Sequence, residues 1–147
     1  MLQHLLTMEM MQLQHTVTDW QAAIRLAGHP LVRIGAVHKR YVQAMIDNVL
    51  TFGPYVALAP KIALPHARPE QGALQIGMSL LTLRESVYFD NSNNPIQLMV
   101  AFSAIDQTSH LQALAQLSNL LSDRNAVEQI IGATDKQIVL QVLQQYS

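Results

Sequence analysis

The spacing of apolar residues changes twice along this chain and divides it roughly into thirds. In the first third, Trp20, Ile24, Ala27, Leu31 and Ile34 recur at steps of four, three, four and three, which is one face of a helix. Thr18-Asp19-Trp20-Gln21 has the T-x-x-Q form of a capping box, with Thr18 as the cap. Pro30 lies inside the pattern. Its ring presses on the preceding turn and it has no N–H, so one kinked helix is predicted rather than two. Gly35 is the predicted C-cap. A second helix follows, with Tyr41, Met45 and Val49 on one face, ending near Phe52-Gly53-Pro54. The first dozen residues hold four of the seven Met, mixed with Gln and Leu, and read as a helical turn or a loose end.

The middle third has a different grammar. Val56–Pro60 and Lys61–Pro65 are short apolar runs, each closed by Pro. Gln75–Leu83 and Ile96–Phe102 are too apolar for a sheet with one wet face, so both are predicted to be central strands covered on two sides. Asp90–Pro95 between them is a turn-rich loop. The last third returns to helical spacing. Leu111, Leu114, Leu117 and Leu121 form one stripe. Ala126, Val127, Ile130 and Ile131 form another, stopped by Gly132. A second T-x-x-Q, Thr134–Gln137, precedes Ile138, Val142 and Leu143. Helices on either side of a buried sheet predict an α/β fold, a three-layer α/β/α sandwich whose mixed sheet has about four or five strands.

Composition narrows the function. The chain has 147 residues, a length expected of one domain spanning 1–147. Nine Lys+Arg against ten Asp+Glu give a net charge of −1, without the basic footprint of a nucleic-acid binder. No apolar run is long enough to cross a membrane, and the first residues do not resemble a secretory signal, so a cytoplasmic location is expected. The absence of Cys excludes disulfides and thiolate chemistry. The chain also lacks the G-x-G-x-x-G, Walker, H-E-x-x-H and G-x-S-x-G motifs.

The most informative segment is Leu64-Pro65-His66-Ala67-Arg68-Pro69-Glu70. The two Pro residues stiffen it, and each holds its predecessor extended. His66 therefore sits on a rigid loop at the end of a strand-like run, where ligands of open α/β sheets bind. An imidazole is substantially neutral near pH 7, so one nitrogen can be a nucleophile while the other is held by a hydrogen bond. Arg68 supplies a permanent charge and a planar fork suited to phosphate. His110 opens the Leu-striped helix, and a helix N-terminus attracts anions. The alternative is that both His are ordinary surface residues. His4, His15, His29 and His38 are expected at the surface. Metal binding by His66, His110 and Glu70 is disfavoured, because the two His lack any local ligand spacing.

Taken together, these segments resemble the enzyme IIA domains of the bacterial sugar phosphotransferase system, in the fructose–mannitol superfamily. The ascorbate-type and cryptic-mannitol-type branch is the nearest pattern. The match is carried by Asp19–Ile24, Tyr41–Ile46, Gly53–Pro60, Ile62–Glu70 with Gly72, Gly77–Leu80, and His110-Leu111. The resemblance implies that His66 accepts a phosphoryl group from phospho-HPr and passes it to a cysteine of enzyme IIB, with membrane enzyme IIC served indirectly. It implies that His110 helps hold the phosphate, and that no cofactor, metal or nucleic acid is involved. Mannitol-type members carry a phosphate-binding Arg where this chain has Asn48 or a close neighbour. Arg68 is the expected replacement, and mannitol specificity is not carried over. Asn48, Glu70 and Ser79 are expected to support the site. A phosphorylatable sensor without sugar transport is the alternative reading.

Overall fold

The computed structural model describes residues 1–147, and the two long apolar runs form its central strands. The elements are α1 (Leu2–Leu5), β1 (Met11–His15), α2 (Trp20–Arg33), α3 (Lys39–Phe52), β2 (Ile62–Ala63), β3 (Gly77–Val87), β4 (Ile96–Ser103), α4 (Leu111–Leu121), α5 (Arg124–Gly132) and α6 (Lys136–Gln144). The sheet runs in the order β1-β3-β4-β2. β3 and β4 are antiparallel, while β1 on β3 and β2 on β4 are parallel, so the four-stranded sheet is mixed as expected. Side chains alternate between its faces. Leu81, Leu83, Met99 and Ala101 join the core under α2 and α3. Met78, Leu80, Leu98 and Val100 join the core under α1, α4, α5 and α6. This is the three-layer sandwich.

Several expectations are corrected. The N-terminal segment is neither loose nor wholly helical: Met11–His15 is the edge strand β1, parallel to β3. Met and Gln carry little β preference, so this strand is set by its place beside β3 rather than by propensity. Of the two Pro-closed runs, only the second contributes to the sheet, and only through Ile62–Ala63. The caps of α2 and α6 are Asp19 and Asp135, one residue later than the Thr of each T-x-x-Q. Asp19 accepts from the Ala22 N–H and Asp135 from the Gln137 N–H. A carboxylate there satisfies orphan amides and also complements the helix dipole. On α4 the buried face is Ala113, Leu117 and Leu120, and Leu111 is 55% exposed.

Pro30 leaves α2 unbroken. The carbonyl of Leu26, four residues back, has no N–H to accept from, and the Gln12 side-chain amide on β1 donates to it at 2.8 Å. One residue on, the buried Ser79 hydroxyl of β3 donates to the Ala27 carbonyl. The sheet thus repairs the helix where proline weakens it. Past Arg33 the helix ends in paired bonds from Ala36 N to Leu31 O (2.9 Å) and from Gly35 N to Val32 O (3.0 Å), with Gly35 at φ 76°. Alongside, α2 meets α3 at very close range: a Cβ at Gly28 would lie 2.7 Å from Val42 Cγ2.

Replacing Gln12 by Leu should lower stability by about 1–3 kcal/mol, because the Leu26 carbonyl loses its donor. In a Pro30→Ala background the same change should cost clearly less, since position 30 then supplies its own N–H. Urea unfolding of the four variants measures this coupling.

Candidate functional site

β2 pairs with β4 at Ile62–Leu98 and Ala63–Met99. One more backbone bond, Phe102 N–H to Pro65 O at 3.1 Å, carries the pairing to the residue before His66. There the chain leaves the sheet, so His66 emerges at the end of β2 beside Phe102 of β4.

Its ring is held on several sides. Nδ1 lies 2.7 Å from the Leu64 carbonyl oxygen. A carbonyl only accepts, so Nδ1 carries the proton and the lone pair is on Nε2. The ring stacks on Phe102 with centroids 4.7 Å apart and planes 16° apart. Tyr55 meets it edge-on at 5.4 Å. The Tyr55 hydroxyl also donates to the His66 carbonyl at 3.1 Å, fixing the backbone as well as the ring. Burial lowers the His66 pKa from its usual 6.5; the Leu64 hydrogen bond opposes the shift, and the nearby His110 charge adds to it. The net effect favours the neutral, nucleophilic imidazole.

His110 is the N-cap residue of α4, where its backbone carbonyl accepts from Leu114 N at 2.9 Å. Its ring lies 6.1 Å from that of Phe102, nearly parallel to it. Phe102 is therefore the shared neighbour of both His, and the structure does bring His66 and His110 to one place. His110 Nδ1 is buried without a hydrogen-bond partner. His4, His15, His29 and His38 are all exposed.

Arg68 lies in the same loop, but its guanidinium is turned to Glu70, with Nε 3.1 Å from Oε1 and both side chains about two-thirds exposed. So exposed a pair is worth little, about 0–1 kcal/mol, and separates easily. Asn48 and Gln71 exchange reciprocal amide bonds of 2.9 and 3.3 Å. Gln71 Oε1 also accepts from the Arg68 N–H at 2.9 Å. Asn48 thus braces the loop through Gln71. Ser79 does not join this group; its hydroxyl faces α2.

Two hollows meet at His66. One, about 270 Å³, is lined by Asn48, Phe52, Tyr55, His66, Ala67 and Arg68. The other, about 420 Å³, is largely apolar and runs past Leu58, Phe102, Leu114 and Leu121. His66 is the one residue common to both.

Motif reading passed over Tyr55 and Phe102 as site residues. Their aromatic character was visible, but their approach to His66 depends on how two loops and β4 fold together. Tyr41 reads as a core position of a helical stripe and as the start of the matching Tyr41–Ile46 segment, not as a site residue.

The family model described as "Phosphoenolpyruvate-dependent sugar phosphotransferase system, EIIA 2" matches residues 4–146. The chain belongs to this family. The mannitol-specific cryptic phosphotransferase enzyme IIA component of Escherichia coli (strain K12) is 40% identical over 129 residues, 88% of each chain. The solution structure of the cryptic mannitol enzyme IIA from Escherichia coli superposes with a TM-score of 0.90 at 36% identity, covering 98% of both chains. The ascorbate-specific EIIA component of Escherichia coli (strain K12) is 34% identical over 134 residues, 90% of this chain and 87% of its own. A complex of Escherichia coli mannitol enzyme IIA with phosphorylated enzyme IIB contains a chain of the same fold, with a TM-score of 0.83 at 28% identity, covering 95% of this chain and 96% of that one. This enzyme IIA chain is accordingly a phosphotransferase-system component, and none of its helices is long and apolar enough to cross a membrane.

The depressed pKa has a definite sign. The unfolded chain binds a proton at His66 more readily than the fold does, so this residue takes stability away as pH falls below 6.5 toward the lower folded value. NMR titration of the His66 ring should give a midpoint below 6.5, and His66→Gln should flatten the loss of stability in that window.

Proposed function

We propose that this chain is a phosphoryl carrier that accepts a phosphoryl group from phospho-HPr on His66 Nε2 and passes it to a cysteine of enzyme IIB. The observation that carries the reading is the bond from His66 Nδ1–H to the Leu64 carbonyl, which leaves Nε2 as the only nucleophilic nitrogen. As the Nε2–P bond forms, the N–P bond of the donor histidine breaks. No proton is transferred, because Nδ1 keeps its own. The phosphorylated ring gains positive charge, which the Leu64 carbonyl dipole faces, and that charge makes the group ready to leave again. The 147 residues include no Cys, so the acceptor thiol lies outside them. The complex of a related enzyme IIA with phosphorylated enzyme IIB supports that partner. Enzyme IIC is served indirectly, and the exchange takes place on the cytoplasmic side as the work of one domain spanning 1–147, with no cofactor, metal or nucleic acid.

Little covalent work is asked of the protein beyond positioning and neutralising charge. On this reading His110, whose ring lies near Phe102 as that of His66 does, contacts the phosphoryl oxygens. Arg68 reaches them by exchanging Glu70 for the incoming phosphate, a better bidentate partner.

Incubation with phospho-HPr should phosphorylate the wild-type chain at Nε2, read by heteronuclear NMR. His66→Ala should take up no phosphate and His110→Ala should take it up slowly; uptake at the wild-type rate by His66→Ala overturns the assignment. Onward transfer to an enzyme IIB cysteine separates a carrier from a sensor.

Arg68→Gln should slow transfer by about 10²-fold, the scale of loss on removing one charge-stabilising donor. Arg68→Lys should recover only part of it, since an ammonium lacks the fork. A normal rate for Arg68→Gln, measured beside its unfolding midpoint, removes Arg68 from the chemistry.

A further inference from the structure

One of the bonds that hold the His66 loop comes from a buried hydroxyl. Tyr41 lies in the first turn and a half of α3 and its residue is fully buried. Its hydroxyl oxygen accepts from the Ala67 N–H at 3.0 Å. It lies 2.8 Å from the Phe102 carbonyl and 3.1 Å from the Ala67 carbonyl, and its single proton goes to the nearer, Phe102. The two residues it grips are not arbitrary. Ala67 follows His66 in the chain. Phe102 is the residue on whose ring the His66 imidazole stacks. One oxygen atom therefore sets the distance between the backbone beside the nucleophile and the backbone beneath its ring.

We infer that Tyr41 is a positioning residue for phosphoryl transfer, its hydroxyl locking the Ala67 and Phe102 backbones so that the His66 ring keeps Nδ1 on Leu64 and Nε2 outward. The inference rests on the carrier function proposed for His66. Tyr41 takes no part in the covalent step, and its phenol stays protonated, because burial pushes its pKa up to about 12. The neighbouring geometry agrees. Gly72, at φ 131°, lies so close to α3 that a Cβ there would sit 3.1 Å from Tyr41 Cβ and 3.2 Å from Tyr41 N. The far end of the loop is thus drawn down onto the same helix turn. Gln71, bonded to Asn48 two turns further along α3, braces the middle. If Tyr41 were only a satisfied core residue, losing its hydroxyl would lower stability and leave the His66 ring as it is.

Tyr41→Phe keeps the ring and removes the hydroxyl. The experiment compares it with wild type and with Thr82→Val, which removes a hydroxyl that accepts from the Gln14 N–H on the β1 side of the sheet. Two quantities are read well below the unfolding midpoints. One is the phosphate uptake rate at saturating phospho-HPr. The other is the imidazole tautomer of His66, from its ring 15N shifts. Tyr41→Phe should slow uptake by about 10- to 100-fold, the usual scale for a small misplacement of a reacting group. It should do so with little change in the KM for phospho-HPr, and it should mix the Nε2–H tautomer into a ring that is otherwise Nδ1–H. Thr82→Val should lose stability and change neither. Normal uptake and an unmixed tautomer in Tyr41→Phe overturn the inference while leaving the carrier function standing. Failure of wild type to take up phosphate overturns the carrier function, and the tautomer still decides the role of Tyr41. Should Tyr41→Phe not fold, hydrogen exchange of the wild type decides it. The Ala67 amide, although in a loop, should exchange as slowly as amides inside β4, and fast exchange would show that the hydroxyl does not hold it.

Discussion

A segment with prolines at positions 65 and 69 has few backbone donors with which to hold itself. β2 contributes only two residues of ladder, and the last backbone bond to the sheet is made by the Pro65 carbonyl. From His66 to the Arg68 N–H, side chains do the holding. Tyr41 takes Ala67, Tyr55 takes the His66 carbonyl, and Gln71, itself bonded to Asn48, takes the Arg68 N–H. Tyr41 and Asn48 are seven residues apart on α3 and so share a helix face. The site is therefore as well ordered as the contact between α3 and the sheet, and the same core that stabilises the fold aims the nucleophile.

That division of labour explains what could be read from the sequence. β3 and β4 were legible because strands covered on both faces must be apolar throughout, and nothing else in the chain has that composition at that length. α2, α3 and α5 were legible through their period. β1 was not, because Met11-Gln12-Leu13-Gln14 is too short and too weak in β preference to announce a strand; its partner β3 lies nearly seventy residues away in a parallel pairing. The stripe on α4 was rotated because leucine is abundant on both sides of that helix, so that Ala113, the smallest candidate, marks the buried face.

The site was legible as a motif and much less so as a mechanism. Pro65-His66 and its neighbours single out the histidine. Nothing in the sequence says which nitrogen carries the proton, because that depends on the His66 ring folding back onto the carbonyl two residues earlier. Nor does a helical stripe distinguish a tyrosine that fills space from one whose oxygen joins two backbone groups. Ser79 illustrates the converse. It lies within a matching motif, yet its hydroxyl spans from sheet to helix to serve the turn before Pro30.

The close approach at Gly28 has a consequence beyond local packing. α3 is held at minimum distance on two sides, with Val42 against Gly28 of α2 and Tyr41 against Gly72 of the loop. A helix packed this closely on two sides has little room to shift, and its Val side chain is stiff at χ1. On the proposed function the same histidine must meet a donor protein and then an acceptor protein of different shape. A closely packed support for the site presents both with much the same template, at low entropic cost to this chain on each docking. The adjustment needed to tell the two encounters apart then falls on the partners, and on the solvent-exposed guanidinium of Arg68.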